Sequence, residues 1–311
     1  MRGPLRVPFI LFLSFLGTHR HLILGKNSMI FQFLLSGLAI GSIYSLVAIG
    51  LVMILRAIDV INFAQGEMVM IGAYLCFTFY TIFKMPFLLS VVLGLFLTAL
   101  AAIAVERLSI HYLKRPTVTN MITSTVAMSV ILKDTGRIFF GSDIWPFPSL
   151  FGDKAITVLG LRVVPQNIMI LVISVGLMVV LHLYLQKTKA GLCIRALMTD
   201  REMASLVGVD FFRVVFLTFA ISGALGAAAG ILIMPLVFVS FNMGVIIFKG
   251  LVALVFGGMY SFPGAIVGGL LLGVMETLIG GYVSTDYRDA IIYLALIIVL
   301  LVRPKGLLGQ E

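Results

Sequence analysis

The polar side chains within the stretch Gly37–Leu75 are the residues of this sequence whose types and spacing could do chemistry. Two apolar runs flank a short polar segment that contains Arg56 and Asp59 and continues to Asn62 and Gln65. A lipid bilayer does not tolerate such groups unless they face protein or water. Neutral amides at this depth can still bind the polar groups of a small solute. The stretch is therefore typical of the lining of a pathway through a membrane.

A second unusual segment is Val245–Val283, which is too long for a single crossing of about 20 residues. It is interrupted by Gly257-Gly258 and again by the turn Ser261–Gly264. Broken helices are tolerated in a membrane in contact with protein or a water-filled path. The alternative for the broken segment is a kinked hairpin at the protein surface. The alternative for any single polar residue is an ordinary hydrogen bond between helices. The candidate substrate-pathway residues are Tyr44, Asn62, Gln65 and Pro263.

The composition defines the elements that must position these residues. The chain is 61% hydrophobic and 11% charged, and its mean hydropathy is +1.16. Soluble domains carry about 25% charged residues. A membrane β-barrel would show weakly alternating segments rather than long unbroken apolar runs. We therefore predict an all-α integral membrane protein. Its fold class is a multi-span helical bundle of about 8–10 segments with broken or re-entrant helices. The predicted spans are Phe31–Leu55, Val60–Phe83, Phe87–Glu106, Thr117–Phe140, Pro165–Gln186, Phe211–Val239, the broken segment and Ala290–Val302.

The distribution of Lys and Arg predicts the orientation of this bundle. The net charge of +9 is divided unequally between the loops on the two sides, which favours membrane topology over nucleic-acid binding. The richer side should be cytoplasmic, and it includes the C-terminal tail. The broken segment must then start and end outside. It either dips into the membrane and returns, or crosses it twice as two short helices with Tyr260–Pro263 as the inner turn. The richer side carries Arg56, Arg107, Lys114, Arg115, Lys187, Lys189, Arg195, Arg201, Arg213, Arg303 and Lys305. The other side carries Lys84, Arg137, Lys154, Arg162 and Arg288.

Motifs for catalysis, nucleotide binding and metal binding are missing from the sequence. There is no G-x-x-x-x-G-K-[ST], His-Glu-x-x-His, paired aspartate or nucleophile elbow, so we predict neither an enzyme nor a cofactor or metal site. The histidines of His19–His21 are better explained as a solvated basic patch than as a metal site. Cys76 and Cys193 should lie on opposite sides of the membrane, which excludes a disulfide between them.

Two loops and the N-terminus differ from the spans. Residues 141–164 form an outer loop that is suited to contact a soluble partner. Residues 187–210 are too polar to span, and Ile194, Leu197, Met198 and Leu206 give them a short apolar face. Thr199 could cap a second turn that opens at Asp200, and Gly208 could end it. Such a helix could enter a groove in another protein, or it could lie in the membrane interface.

Residues 1–28 precede the first strong span. Their apolar run Val7–Thr18 is short for a crossing and resembles the apolar core of a signal sequence. We favour a natural start at Met29, which would make residues 1–28 an extension. The remaining alternative is an additional helix.

Four ordered blocks resemble the branched-chain amino-acid ABC importer permeases. The first block reads GSIYSLVAIG and then INFAQGEMVMIGAY, from Gly41 to Tyr74. The loop block matches at Gly191, Arg195, Ala196, Asp200, Ala204 and Gly208, with Met203 as a departure from the family's E-A-A-x-x-x-G coupling pattern. A late block, GGMYSFPGAIVGG, has Tyr260 where glycine is commoner. The tail Arg303–Gly309 resembles the family's ending. The blocks cover Met29 to Gly309 but say little about the solute.

The resemblance implies that residues 29–311 form the transmembrane permease domain of an ABC importer in a bacterial inner membrane. Its implied partners are two ATP-hydrolysing cassette subunits, a second homologous permease, a periplasmic or extracytoplasmic solute-binding protein and membrane lipid, but no nucleic acid. The loop 187–210 would then couple to the ATPases. The alternative is an ion-coupled secondary transporter, which should show paired carboxylates at mid-membrane. The implied coupling residues are Arg195, Asp200, Glu202, Ala204 and Gly208.

Overall fold

The computed structural model describes residues 7–113, 117–148, 156–158, 161–303 and 305–308, and side chains from residue 29 onward except those of 156–158 and 161–162. These residues form eleven α-helices and one small hairpin, so the all-α membrane bundle is confirmed. Lys114, Arg115, Lys154, Gly309 and the side chains of His19–His21 lie outside this description. The helices are α1 (Val7–Ile58), α2 (Gln65–Phe77), α3 (Phe87–Glu106), α4 (Val118–Phe140), α5 (Pro165–Lys187), α6 (Lys189–Thr199), α7 (Arg201–Leu206), α8 (Phe211–Val237), α9 (Ile246–Gly257), α10 (Phe262–Tyr282) and α11 (Arg288–Val302).

Five segments of the described chain are long and apolar enough to cross a membrane. They are Met29–Ile58, Phe87–His111, Pro165–Lys187, Phe211–Val237 and Phe262–Tyr282. The first of these lies at the centre of the bundle and packs most extensively against α10 and α8. The short strands β1 (Ile156–Val158) and β2 (Leu161–Val163) pair antiparallel within the predicted outer loop.

Glycines line the most extensive helix contact, which joins α1 to α10. Gly37 and Gly41 on α1 face Gly269 and Gly273 on α10, so both helices present glycines four residues apart. A Cβ atom at Gly41 would lie only 2.8 Å from the carbonyl oxygen of Gly269. Small residues at this spacing let helix backbones approach closely in membranes, where burial of apolar surface does not itself drive association. The seam therefore holds the two helices in van der Waals contact.

The turn between α9 and α10 lies at the same end of the bundle as the end of α1; we call this the inner end. The Tyr260 hydroxyl donates to Asp59 Oδ1 at 2.7 Å, and this bond raises the pKa of Tyr260. The backbone N–H groups of Leu307 and Leu308 donate to the last carbonyls of α9, at 2.8 and 2.9 Å. The broken segment is thus the short helix α9 followed by the longer helix α10. The turn between them and the C-terminal tail lie together at the inner end.

Several helix boundaries differ from the predicted spans, and two of these differences have a backbone cause. The second span begins at Gln65 rather than Val60, because Asp59 has a positive φ of 59° and Asn62 Oδ1 accepts from the N–H of Ala64. The sixth span ends at Val237, because Phe238 has a φ of 60° and Val239 pairs with Trp145. The exact end of the polar turn before α2 and the isolated Trp145–Val239 bridge leave weak signals within long apolar runs. The sequence therefore did not predict these two boundaries.

Candidate functional site

The loop between α5 and α8 folds into two short helices, and the first of them packs on the bundle. Thr188 caps α6 by accepting from the N–H of Gly191 at 2.9 Å. Gly191, Ile194 and Leu197 are buried, and α6 contacts α5, α8 and α1. A Cβ at Gly191 would lie 2.6 Å from the Cα of Leu185, so the start of α6 is held directly against α5. Motion of α6 must therefore be transmitted to the spanning helices.

The second helix, α7, is capped by Asp200 and not by Thr199. One carboxylate oxygen of Asp200 accepts from the N–H groups of Glu202 and Met203, at 2.9 and 3.1 Å. The Thr199 hydroxyl instead donates to the carbonyl of Arg195 at 2.9 Å, so the predicted Thr199 cap is wrong. A carboxylate satisfies the free N–H groups of a helix start and complements the helix dipole. Gly208, with a φ of 85°, follows the end of the helix as predicted.

The apolar residues of this loop divide between two surfaces. Ile194 and Leu197 face the bundle, whereas Leu206 is 80% exposed. Leu206 lies beside Met203 and Val207, which are 63% and 79% exposed. The predicted single apolar face is therefore wrong, because the kink at Asp200 turns α7 away from the face of α6. We call the patch of Met203, Leu206 and Val207 the α7 face. A contiguous exposed apolar patch on a polar loop marks an interaction surface.

A cavity of 510 Å³ lies at the inner end, between this loop and the spanning helices. Arg195 and Thr199 line it from α6, Arg56 from α1 and Pro263 from α10. The guanidinium of Arg56 lies 5.4 Å from the ring centre of Phe262. The cavity thus joins the candidate coupling residue Arg195 to the candidate pathway residue Pro263.

The two amide side chains of the predicted pathway are buried between helices. Gln65 donates to the carbonyl of Ser222 and accepts from its hydroxyl, both at 2.9 Å. The same hydroxyl lies 2.9 Å from the carbonyl of Gly50. Gly50 is eight residues before the end of α1, or about 12 Å from the inner end. Helix α2 therefore starts inside the bundle, where Asn62 and Gln65 bond the surrounding backbone.

A second cavity, of 370 Å³, lies toward the opposite, outer end; we call it the outer cavity. The candidate residue Tyr44 lines it together with the charged side chains of Lys249, Glu276, Arg288 and Asp289. Glu276 and Asp289 were not among the residues predicted to line the pathway. The available signal was that Glu276 is the only charged residue of α10, because ionisable groups are costly at such positions.

Glu67 is a further buried acid in the first turn of α2. Its Oε1 atom accepts from the Ser129 hydroxyl at 3.1 Å, which joins α2 to α4. The ammonium of Lys133 lies 5.7 Å from the ring centre of Phe241. These contacts attach α4, whose side chains are otherwise mostly exposed, to the bundle.

Comparison with known proteins identifies the family. The family described as "Branched-chain amino acid transport system / permease component" matches residues 33–300. The high-affinity branched-chain amino acid permease protein LivH of Salmonella typhimurium is 33% identical over 296 residues, covering 90% of this chain and 95% of LivH. BraD of Pseudomonas aeruginosa has the same identity and coverage.

A solved structure, PsaBC from Streptococcus pneumoniae in complex with Fab, shares the fold. Its TM-score is 0.52 at 14% identity, and the match covers 88% of this chain and 92% of that one. The bundle, the capped loop and the match over nearly all of the chain agree on one assignment. The chain belongs to the family of permease components of branched-chain amino acid transport systems.

Proposed function

We propose that this chain is the transmembrane permease subunit of an ATP-driven importer for branched-chain amino acids. The family match over residues 33–300 carries the proposal, because the named relatives are permeases of branched-chain amino acid transport. The sequence lacks a phosphate-binding loop, so the ATP hydrolysis in this proposal takes place in a partner subunit. The proposed partners are two ATP-hydrolysing cassette subunits, a second homologous permease and an extracytoplasmic solute-binding protein.

The ATPase contact in this proposal is the α7 face. Asp200 and Gly208 define the start and end of α7, Glu202 lies in its first turn, and Ala204 is its buried side chain. An amphipathic helix with an exposed apolar face fits a groove in a partner protein. ATP-driven closure of the partner pair would move α7. Through Arg195 and the rest of α6, it would then move the helices that α6 contacts.

The solute pathway in this proposal uses the cavities at the two ends of the bundle in turn. Tyr44 lines the outer cavity and Pro263 the inner one, while Gln65, three residues after Asn62, bonds Ser222 at the depth of Gly50. Rocking of the helices would open one end while closing the other. The Lys and Arg distribution supports a cytoplasmic inner end and C-terminus in a bacterial inner membrane. Residues 29–311 form the proposed permease domain and residues 1–28 a proposed extension.

Reconstitution in proteoliposomes tests this function. The permease is co-reconstituted with the candidate ATPases and second permease, and uptake of labelled leucine is measured with the binding protein outside and ATP inside. We expect uptake that requires ATP and every partner. Uptake by the permease alone, driven by a proton or sodium gradient, would establish the secondary-transporter alternative. The absence of leucine uptake by the complete assembly, with its ATPase active, would refute the proposed substrate class.

A further inference from the structure

The outer cavity contains a compact cluster of two cations and two anions. Glu276 Oε1 lies 3.5 Å from Lys249 Nζ and 3.3 Å from Arg288 Nε. Asp289 forms an ion pair with Lys249 and lies 3.7 Å from Arg288 Nε. The four residues come from α9, α10 and α11, and their charges sum to zero. We call this group the outer charge cluster.

The outer charge cluster lies at a buried position, where charges cost free energy, and not all of its polar atoms form hydrogen bonds within the protein. Glu276 lies fourteen residues into α10, about 21 Å from its inner end, and is 4% exposed. Among the described residues, the Glu276 Oε2 atom accepts no hydrogen bond, and Arg288 Nε donates none although it is ion-paired with Glu276 Oε1. Buried polar atoms nearly always form hydrogen bonds, so a carboxylate oxygen and an ion-paired guanidinium nitrogen that form none in one cavity require an explanation.

The rest of the cavity wall is largely apolar. Its volume of 370 Å³ is within the range of small-molecule sites, roughly 300–1,000 Å³. The cavity therefore combines a balanced set of charges with a mainly apolar lining. The apolar lining includes Ile40, Ile233, Leu236, Val237, Ile246 and Phe248.

We propose that the outer charge cluster binds the backbone of a zwitterionic aliphatic amino acid during its passage. The ammonium group pairs with Glu276 and Asp289, and the carboxylate pairs with Arg288 and Lys249. The aliphatic side chain lies against the apolar wall. This site deepens the proposed function and rests on it.

The charge balance of the cluster gives the site its selectivity. A zwitterion adds no net charge to the cavity, so each of its ends can replace one existing ion pair. A monoanion or a monocation of the same shape would leave one uncompensated charge in a low-dielectric environment, which is strongly unfavourable. The site should therefore reject 4-methylpentanoate, which lacks the amino group of leucine, and isoamylamine, which lacks the carboxylate.

The test measures the thermal shift that leucine produces in the complete ATPase–permease complex without the binding protein. A ligand that binds the folded state raises the unfolding temperature. We expect leucine to raise it in the wild-type complex and neither single-charge analogue to do so. Glu276→Gln should abolish the leucine-dependent shift and lower leucine uptake at least ten-fold. Asp286→Asn, in the exposed connection before α11, is the matched control and should keep both.

The thermal shift is the difference between the unfolding temperatures of the liganded and the free complex. A purely structural role of the cluster would lower both temperatures and leave their difference unchanged. Asp289→Asn, at a more exposed position, provides a second variant if Glu276→Gln does not assemble, and it should also lose the shift. An unchanged shift in these variants, or no shift in a wild-type complex that imports leucine, would overturn this site and leave the proposed function standing. A wild-type assembly that does not import leucine would instead refute the proposed function.

Discussion

Replacement of the Asp200 cap by alanine is the sharpest test of the coupling helix. The carboxylate accepts two backbone hydrogen bonds at the start of α7, and alanine removes both. Helix α7 has only six residues, and Ala204 is its one buried side chain among those described. So short a helix is not stable from its own propensity, and tertiary burial contributes little here. The cap should therefore be the main local contribution that keeps α7 ordered.

The size of the effect follows from the cap. Loss of an Asp cap costs about 1 kcal/mol. Since 1.4 kcal/mol is a factor of ten, the ratio of ordered to disordered α7 should fall about five-fold. A partner that binds only the ordered helix loses affinity in proportion to the ordered fraction. We therefore expect ATPase affinity to fall by up to about five-fold, together with faster amide exchange at Glu202 and Met203.

Two variants separate capping from other roles of the carboxylate. Asp200→Asn keeps an equally good cap, so its ATPase affinity should remain close to that of the wild type. Asp210→Ala removes the cap of α8, which accepts from the N–H of Arg213 at 3.3 Å. That helix has 27 residues and is largely buried, so ATPase affinity should not change. The assay is titration of the ATPase onto the reconstituted permease, with hydrogen exchange in parallel.

Either of two results would refute the reasoning. If Asp200→Ala keeps wild-type affinity and wild-type exchange, α7 does not depend on its cap. If Asp200→Asn is as defective as Asp200→Ala while exchange stays slow, the carboxylate contacts the partner directly and does not act as a cap.

Three further predictions concern packing, topology and the N-terminus. Gly41→Leu should force α1 away from α10 and destabilise the bundle by about 1–3 kcal/mol or more. Gly176→Leu should be tolerated, because a Cβ atom at Gly176 meets nothing within 4 Å. Equal unfolding midpoints for the two variants would contradict the glycine seam. Cys193 should react with a membrane-impermeant thiol reagent from the cytoplasmic side alone. The fully buried Cys76 should stay unlabelled in the folded protein. Labelling of Cys193 in sealed cells would reverse the predicted orientation of the bundle in the membrane. Deletion of Met1–Ser28 should leave membrane insertion and uptake intact, because the described part of α1 already bonds α10 at Phe33 and α5 at Ser36. Loss of the protein from the membrane would show that this segment is required.

Local signals in the sequence were sufficient for the class of the protein and for much of its loop structure. Long apolar runs predicted the membrane bundle, and Gly208 was correctly placed after the end of α7. The turn near Tyr260 was also predicted, because charge parity required the broken segment to return to the side where it began. The cap was misassigned to Thr199, since Thr199 and Asp200 are adjacent and both residue types can cap a helix.

The sequence by itself determined what must lie in the membrane, because hydrocarbon excludes unpaired polar groups and so enforces long apolar helices. Only the tertiary structure decided which helix faces meet. Lys249 and Asp289 are forty residues apart yet form an ion pair, and Gln65 bonds Ser222, whose hydroxyl also lies 2.9 Å from the carbonyl of Gly50. The physical reason is that lipid and protein interior are equally apolar, so hydrophobic periodicity does not distinguish a face that meets another helix from one that meets lipid. Close glycine contacts and a few buried polar bonds make that distinction, and they exist only once the helices are assembled.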